Sequence, residues 1–244
     1  MHVNIVGYTL QCAAYLTEVC LVFYILRSHQ LKRLVGAVGY VLCLLSVDLG
    51  RTWTLHRFGL TSRQYFYAYW STDFLLVISA FMLVCLFFRR ACLREEKMWR
   101  FVRRLLVFVF LAVLGISGLI FSRNYKDLFP YFVFEFNQTL YFTCLVLNTL
   151  LYVLLQQIES NDEELGLLVC GVGIQFAGPA ATLALIHLTT AESYAQSLNS
   201  FTIPLCTLGM LLVWAYAIVP GRSRTVVTRS KPAVLAQATA HLNV

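Results

Sequence analysis

Apolar residues fill this chain in seven long runs, separated by six short polar stretches. Each run approaches the roughly 20 residues that a helix needs to cross the hydrocarbon of a bilayer, and is far longer than a buried strand. The pattern predicts helices over 5–27, 34–52, 65–88, 105–121, 131–156, 166–187 and 201–219. The breaks are marked by their own chemistry. Arg27 to Arg33 and Arg89 to Arg104 are basic, Leu55 to Gln64 carries His56, Arg57 and Gly59, and Gln157 to Leu165 is acidic. Ser122 to Pro130 ends in a proline suited to the first turn of a helix, and Thr189 to Ser200 is polar. The expected fold is all-α: a polytopic membrane protein whose seven-transmembrane-helix bundle occupies 1–220, followed by a polar tail, 221–244, expected to be disordered. The first run has no basic residues before it and no small-x-small cleavage site, so it is expected to stay as a helix.

Composition agrees. Only 13% of the 244 residues are charged, about half the share of a soluble domain. The formal charge of +7 invites a nucleic-acid reading, which the placement of the charges opposes. Arg27, Lys32, Arg33, the seven Lys and Arg residues between Arg89 and Arg104, and Arg222, Arg224, Arg229 and Lys231 all fall on one side of the bundle. Arg51, Arg57, Arg63, Arg123 and Lys126 fall on the other. Such a bias orients a chain with its basic loops inside, so the N-terminus is expected out and the C-terminus in, as a multi-pass protein of the cell membrane, in bacteria the inner membrane. No nucleic-acid partner is expected. The basic loop 89–104 interleaves charge with apolar residues and is a candidate surface for anionic lipid or an intracellular protein, although topogenesis alone accounts for its charge. The eight cysteines lie in apolar segments or a basic loop, with no C-x-x-C, which reads as helix packing. No metal or cofactor is expected.

The ions inside the runs are almost all acids. Glu18, Asp48, Asp73 and Glu135 lie in segments that must cross lipid, where a charge is costly and by default faces the protein interior. Steps of three and four gather Asn4, Tyr8, Gln11, Tyr15 and Glu18 on one side of the first helix, and Tyr65, Tyr69, Thr72 and Asp73 on one side of the third. The fifth helix aligns Asn137, Tyr141, Cys144, Asn148 and Tyr152. With the N-terminus outside, Asp48, Asp73, Glu135, Tyr69, Asn137 and His187 cluster toward the outer face, as candidate ligand-binding residues of an outward pocket. Glu18, Gln11 and Asn148 form a candidate buried polar link. The competing reading is interhelical glue, with Asp48 and Arg51 paired three residues apart. Gly171, Gly173, Ala177, Gly178, Ala180 and Ala181 make the sixth helix suited to close backbone approach, and Pro179 and Pro204 are expected to kink the last two.

Seven crossings recur in several families, and each is tested on its residues. The last helix, Phe201 to Val219, has no lysine to carry retinal, and a zinc hydrolase needs several histidines where the spans offer only His187. Phe87-Phe88-Arg89 stands where G-protein-coupled receptors carry Asp-Arg-Tyr, and the Pro-Gln pairs of small sugar transporters are absent. Tyr65-Phe66-Tyr67-Ala68-Tyr69-Trp70 and Trp214-Ala215-Tyr216-Ala217-Ile218-Val219-Pro220 give a pattern that resembles uncharacterised bacterial seven-transmembrane-helix integral membrane proteins, a resemblance that implies no activity. The leading expectation is a small-molecule sensor or ligand-binding bundle. The alternatives are a transporter of a small solute or protons and a structural subunit of a membrane complex. No nucleophile–base pair or metal set stands out, so no enzyme is expected.

Overall fold

A computed structural model describes residues 2–28, 31–59, 62–92, 96–123, 128–157, 162–188 and 192–218, and the side chains of 9–28, 33–59, 62–92, 96–118, 133, 136–157, 162–181 and 201–218. The described residues form seven helices: α1 (His2–Arg27), α2 (Leu31–Phe58), α3 (Arg63–Ala91), α4 (Glu96–Arg123), α5 (Leu128–Gln157), α6 (Glu163–Leu188) and α7 (Glu192–Ile218). Each contains a window long and apolar enough to cross a membrane. This is the build of a multi-pass membrane protein. The predicted tail, 221–244, lies outside the described residues.

Local signals set the helix ends. Gly59, with φ of 77°, follows α2 in the left-handed conformation that only glycine adopts freely, and its N–H donates to Leu55 O at 2.9 Å. Ser62 then caps α3, its hydroxyl accepting from the Tyr65 N–H at 3.1 Å. Asp162 caps α6 in the same way, accepting from the Leu165 N–H at 3.2 Å. The helix α2 runs on to Phe58, beyond the predicted end at 52, and there Thr52 and Thr54 are accommodated by returning their hydroxyls to Asp48 O and Gly50 O at 2.8 and 2.9 Å. Asp48 and Arg51 therefore lie two to three turns inside the helix, not at its outer end as predicted. A break in α2 sits at Leu34 (φ −111°, ψ 15°), while α6 and α7 pass through Pro179 and Pro204 as single helices.

Six helices close a ring in the order α1, α2, α3, α5, α6, α7, with α7 returning to α1. Among the described residues α4 touches only α3 and α5, from outside the ring. Its outer face carries Phe101, Phe108 and Leu111, all exposed, as a lipid-facing helix requires. The inner face of α3 buries Leu76, Val77, Ala80, Val84 and Phe87 at steps of three and four. The closest packing joins α6 to its neighbours, through its glycines. A Cβ on Gly171 would stand 2.7 Å from the Trp214 ring, one on Gly178 2.6 Å from Cys206 Sγ, and one on Gly173 3.0 Å from Asn148 Nδ2. Trp214 is wholly buried there, donating its indole N–H to Leu168 O at 2.9 Å. The bundle has two ends. The Asp73 end is where α1, α3, α5 and α7 begin; the Glu164 end is where α2, α4 and α6 begin.

Candidate functional site

Three polar groupings punctuate this apolar bundle. The first joins α2, α3 and α5. Arg51 sends Nη2 to Asp73 Oδ1 at 3.0 Å and Nε to Thr72 Oγ1 at 2.9 Å, and its guanidinium lies 4.4 Å from the centre of the Tyr69 ring. Asn137 Nδ2 donates to the other carboxylate oxygen, Asp73 Oδ2. Of the residues expected at the outer face, Asp73, Tyr69 and Asn137 thus come together. The organiser is Arg51, which reaches across to α3 and not back to Asp48. The arrangement is incomplete in one respect: Asn137 Oδ1 is buried with no hydrogen-bond partner among the described residues. Arg51 and Asp73 keep 21% and 23% of their side-chain surface exposed, so the pair is wetted rather than sealed. The side chains of Glu135 and His187, also predicted here, lie outside the described residues, as do those of Asn4 and Tyr8.

The second grouping is sparse and deep. Glu18 lies halfway along the membrane-capable window Thr9–Arg27 and is 1% exposed. Neither of its carboxylate oxygens has a hydrogen-bond partner among the described residues. Asp48, on α2, acts on it electrostatically and makes no ion pair of its own among the described residues. Gln11 Nε2 donates to the Tyr15 hydroxyl at 2.7 Å on the same face of α1. Asn148 is buried separately, between α5 and α6, donating to Val169 O at 3.0 Å with its own Oδ1 unpartnered. The predicted link from Glu18 to Asn148 therefore resolves into two sites. Several hydroxyls in the spans are spent locally, Thr17, Ser46, Thr143 and Thr207 each donating to the carbonyl one turn back, whereas Ser117 Oγ of α4 is buried with no hydrogen-bond partner among the described residues.

The third grouping went unforeseen. At the Glu164 end, Arg90 of α3 donates Nη2 to Asp162 Oδ2 at 2.8 Å and to Glu164 Oε1 at 3.2 Å. Arg33 of α2 pairs with Glu164 Oε2 at 2.9 Å. Beside them a cavity of about 440 Å³ opens between α2 and α3, reaching α6 at Leu168. The sequence held a signal for the pairing, acids at the start of the sixth helix and arginines at the facing ends of the second and third. Weighed only as loop charge in the orientation count, that signal is lost. No three His, Cys, Asp or Glu side chains gather to hold a metal among the described residues, and the described cysteines are free thiols.

These features define a seven-helix, membrane-capable bundle, six helices in a ring and one outside it, with polar groups at both ends and, halfway along α1, a buried acid that has no hydrogen-bond partner among the described residues. No family model, no curated protein and no solved structure matches the chain.

Proposed function

We propose that this protein carries protons or a small cation through its bundle, with Glu18 as the group that takes and releases the charge. The observation that supports this reading is the isolation of Glu18. Holding an ion without partners inside a bundle costs several kcal/mol, so a carboxylate in that position exchanges its charge for a proton or a bound cation. An acid kept only for packing would have a donor on a neighbouring helix, as Asp73 has in Arg51. Asp48, unpaired on the adjacent helix, offers the second oxygen pair along the route. The asymmetry of basic residues supports an orientation with the Glu164 end in the cytoplasm.

Reconstitution into proteoliposomes with an imposed pH gradient tests the assignment. A trapped pH dye should report flux for the wild-type chain and for Asp73→Asn, and none for Glu18→Gln. Undiminished flux through Glu18→Gln sinks this reading.

A second reading has its own support in the buried, unpartnered Asn137 Oδ1 beside Asp73 and Tyr69. There a small ligand with a donor group would complete the site, and the protein would sense rather than carry. Under that reading a panel of small cationic ligands raises the melting temperature of the wild type and of Glu18→Gln. Asp73→Asn abolishes the shift.

A further inference from the structure

We infer that the cavity at the Glu164 end is a binding site for the headgroup of an anionic phospholipid. Three arginines, Arg33, Arg89 and Arg90, stand around it, and its walls are apolar, among them Val35, Leu86 and Leu168. Two of the arginines are already engaged by Glu164 and Asp162. Arg89 is not: it is exposed and makes no hydrogen bond or ion pair among the described residues. The lining therefore carries a free positive charge in the last turn of α3, beside Arg90 and across from Arg33 at the start of α2.

Position and wall chemistry identify the occupant. Arg33 begins the membrane-capable window of α2, and Arg89 and Arg90 lie at the end of that of α3, so the cavity sits at the level where headgroups lie. Val35 and Leu86, in its lining, are both exposed large hydrophobics, so apolar surface runs from the arginines toward the lipid. A free phosphorylated solute would meet those walls with nothing to place on them. A phospholipid places its phosphate against Arg89 and its acyl chains along Val35 and Leu86. Gly36 sustains the geometry, since its bare Cα lets α2 approach Leu86, whose Cδ1 would stand 3.0 Å from an added Cβ. Basic pockets between helices at the cytoplasmic border are a recurrent means of holding anionic headgroups. The inference stands apart from the proposed role of Glu18, which lies on another helix.

The full chain, delipidated in detergent, is titrated with three probes: dioctanoyl phosphatidylglycerol, dioctanoyl phosphatidylcholine and glycerol 1-phosphate. Phosphatidylglycerol should bind saturably, and the other two at least tenfold more weakly. Glycerol 1-phosphate binding as tightly as the lipid would assign the cavity to a soluble phosphate and overturn the inference. Arg89→Gln removes an unpaired charge at no expected cost to folding and should weaken phosphatidylglycerol about fivefold. Leu86→Trp fills the mouth and should abolish saturable binding. Arg103→Gln, an exposed arginine on α4 at the same end, should change nothing. Equal losses in Arg89→Gln and Arg103→Gln would show diffuse surface attraction, and wild-type affinity in both Arg89→Gln and Leu86→Trp would show that the lipid binds elsewhere; either result defeats the assignment.

Discussion

At the Asp73 end one arginine of α2 faces one acid of α3, and an amide from α5 completes the acid's shell. At the Glu164 end two arginines, from α2 and α3, share two acids at the start of a single helix, α6. Both ends tie α2 to α3 and then to a third helix, but they differ in depth and closure. Glu164 retains only 7% of its side-chain surface, whereas the Asp73 pair is about a fifth exposed on each side. The acids at the Glu164 end each meet two guanidinium groups, and one of them also caps α6. The Asp73 end leaves an amide oxygen without a donor. A network closed around a buried acid fixes the spacing of helices even where its rim, Arg33 at 52% and Asp162 at 30%, is exposed; a pair wetted throughout and left open tolerates rearrangement. The first is the better anchor and the second the better place for an event.

The largest expected effect follows from that contrast. Glu164→Gln keeps the shape of the side chain and leaves two arginines sharing one remaining acid, which should cost about 3 kcal/mol because removing the buried acid strands the mostly covered Arg90 beside it. Asp73→Asn, at the wetter end, should cost about 1.5 kcal/mol, the scale of charged hydrogen bonds partly replaced by water. Thermal unfolding of the purified chain in detergent ranks the two. If Asp73→Asn proves the more destabilising, the assignment of anchor and event to the two ends is reversed.

A smaller effect separates the two roles of Asp162. Asp162→Asn keeps a side-chain oxygen for the Leu165 N–H but removes the charge from Arg90. Asp162→Ala removes both. The alanine variant should therefore be less stable than the asparagine variant by about 1 kcal/mol, the usual worth of an N-cap. Equal melting temperatures would mean that the cap contributes nothing and that the residue acts only through its charge.

The spans were legible because hydropathy over 20 residues is a strong signal, and the glycines of α6 announced close packing before Trp214 and Cys206 supplied what they pack against. The grouping of Tyr69, Asp73 and Asn137 was legible in part: spacing places residues on a face, and the acid in lipid demanded a partner. What spacing does not give is which helices are neighbours. Spacing therefore offers Arg51 only Asp48, on its own helix, as a partner within reach, whereas its partner lies on α3, and the pairing of Arg33 and Arg90 with α6 requires knowing that α2, α3 and α6 meet at one end. The exclusion of α4 from the ring was unreadable for the same reason, since its apolar pattern resembles that of its neighbours. Glu18 is the reverse case. Its position in an apolar run marks it in the sequence, and the structure adds what spacing cannot, that it has no hydrogen-bond partner among the described residues.

The smallest effect tests whether exposure, more than charge count, decides what each ion contributes. Arg33 joins the same network as Arg90 and reaches the same Glu164, but its side chain is 52% exposed. Water already solvates the guanidinium, so pairing replaces one favourable environment with another and gives up side-chain freedom to do so. Arg33→Gln should accordingly cost only about 0.5 kcal/mol, a sixth of the loss expected for Glu164→Gln in the same cluster. Salt sharpens the test. An exposed pair is screened at high ionic strength and a buried one hardly at all. The difference in melting temperature between Arg33→Gln and the wild type should therefore shrink toward zero in concentrated salt, while that of Glu164→Gln persists. A salt-resistant loss at Arg33 as large as that at Glu164 would mean that the cluster acts as one inseparable unit, and that depth does not distinguish its members.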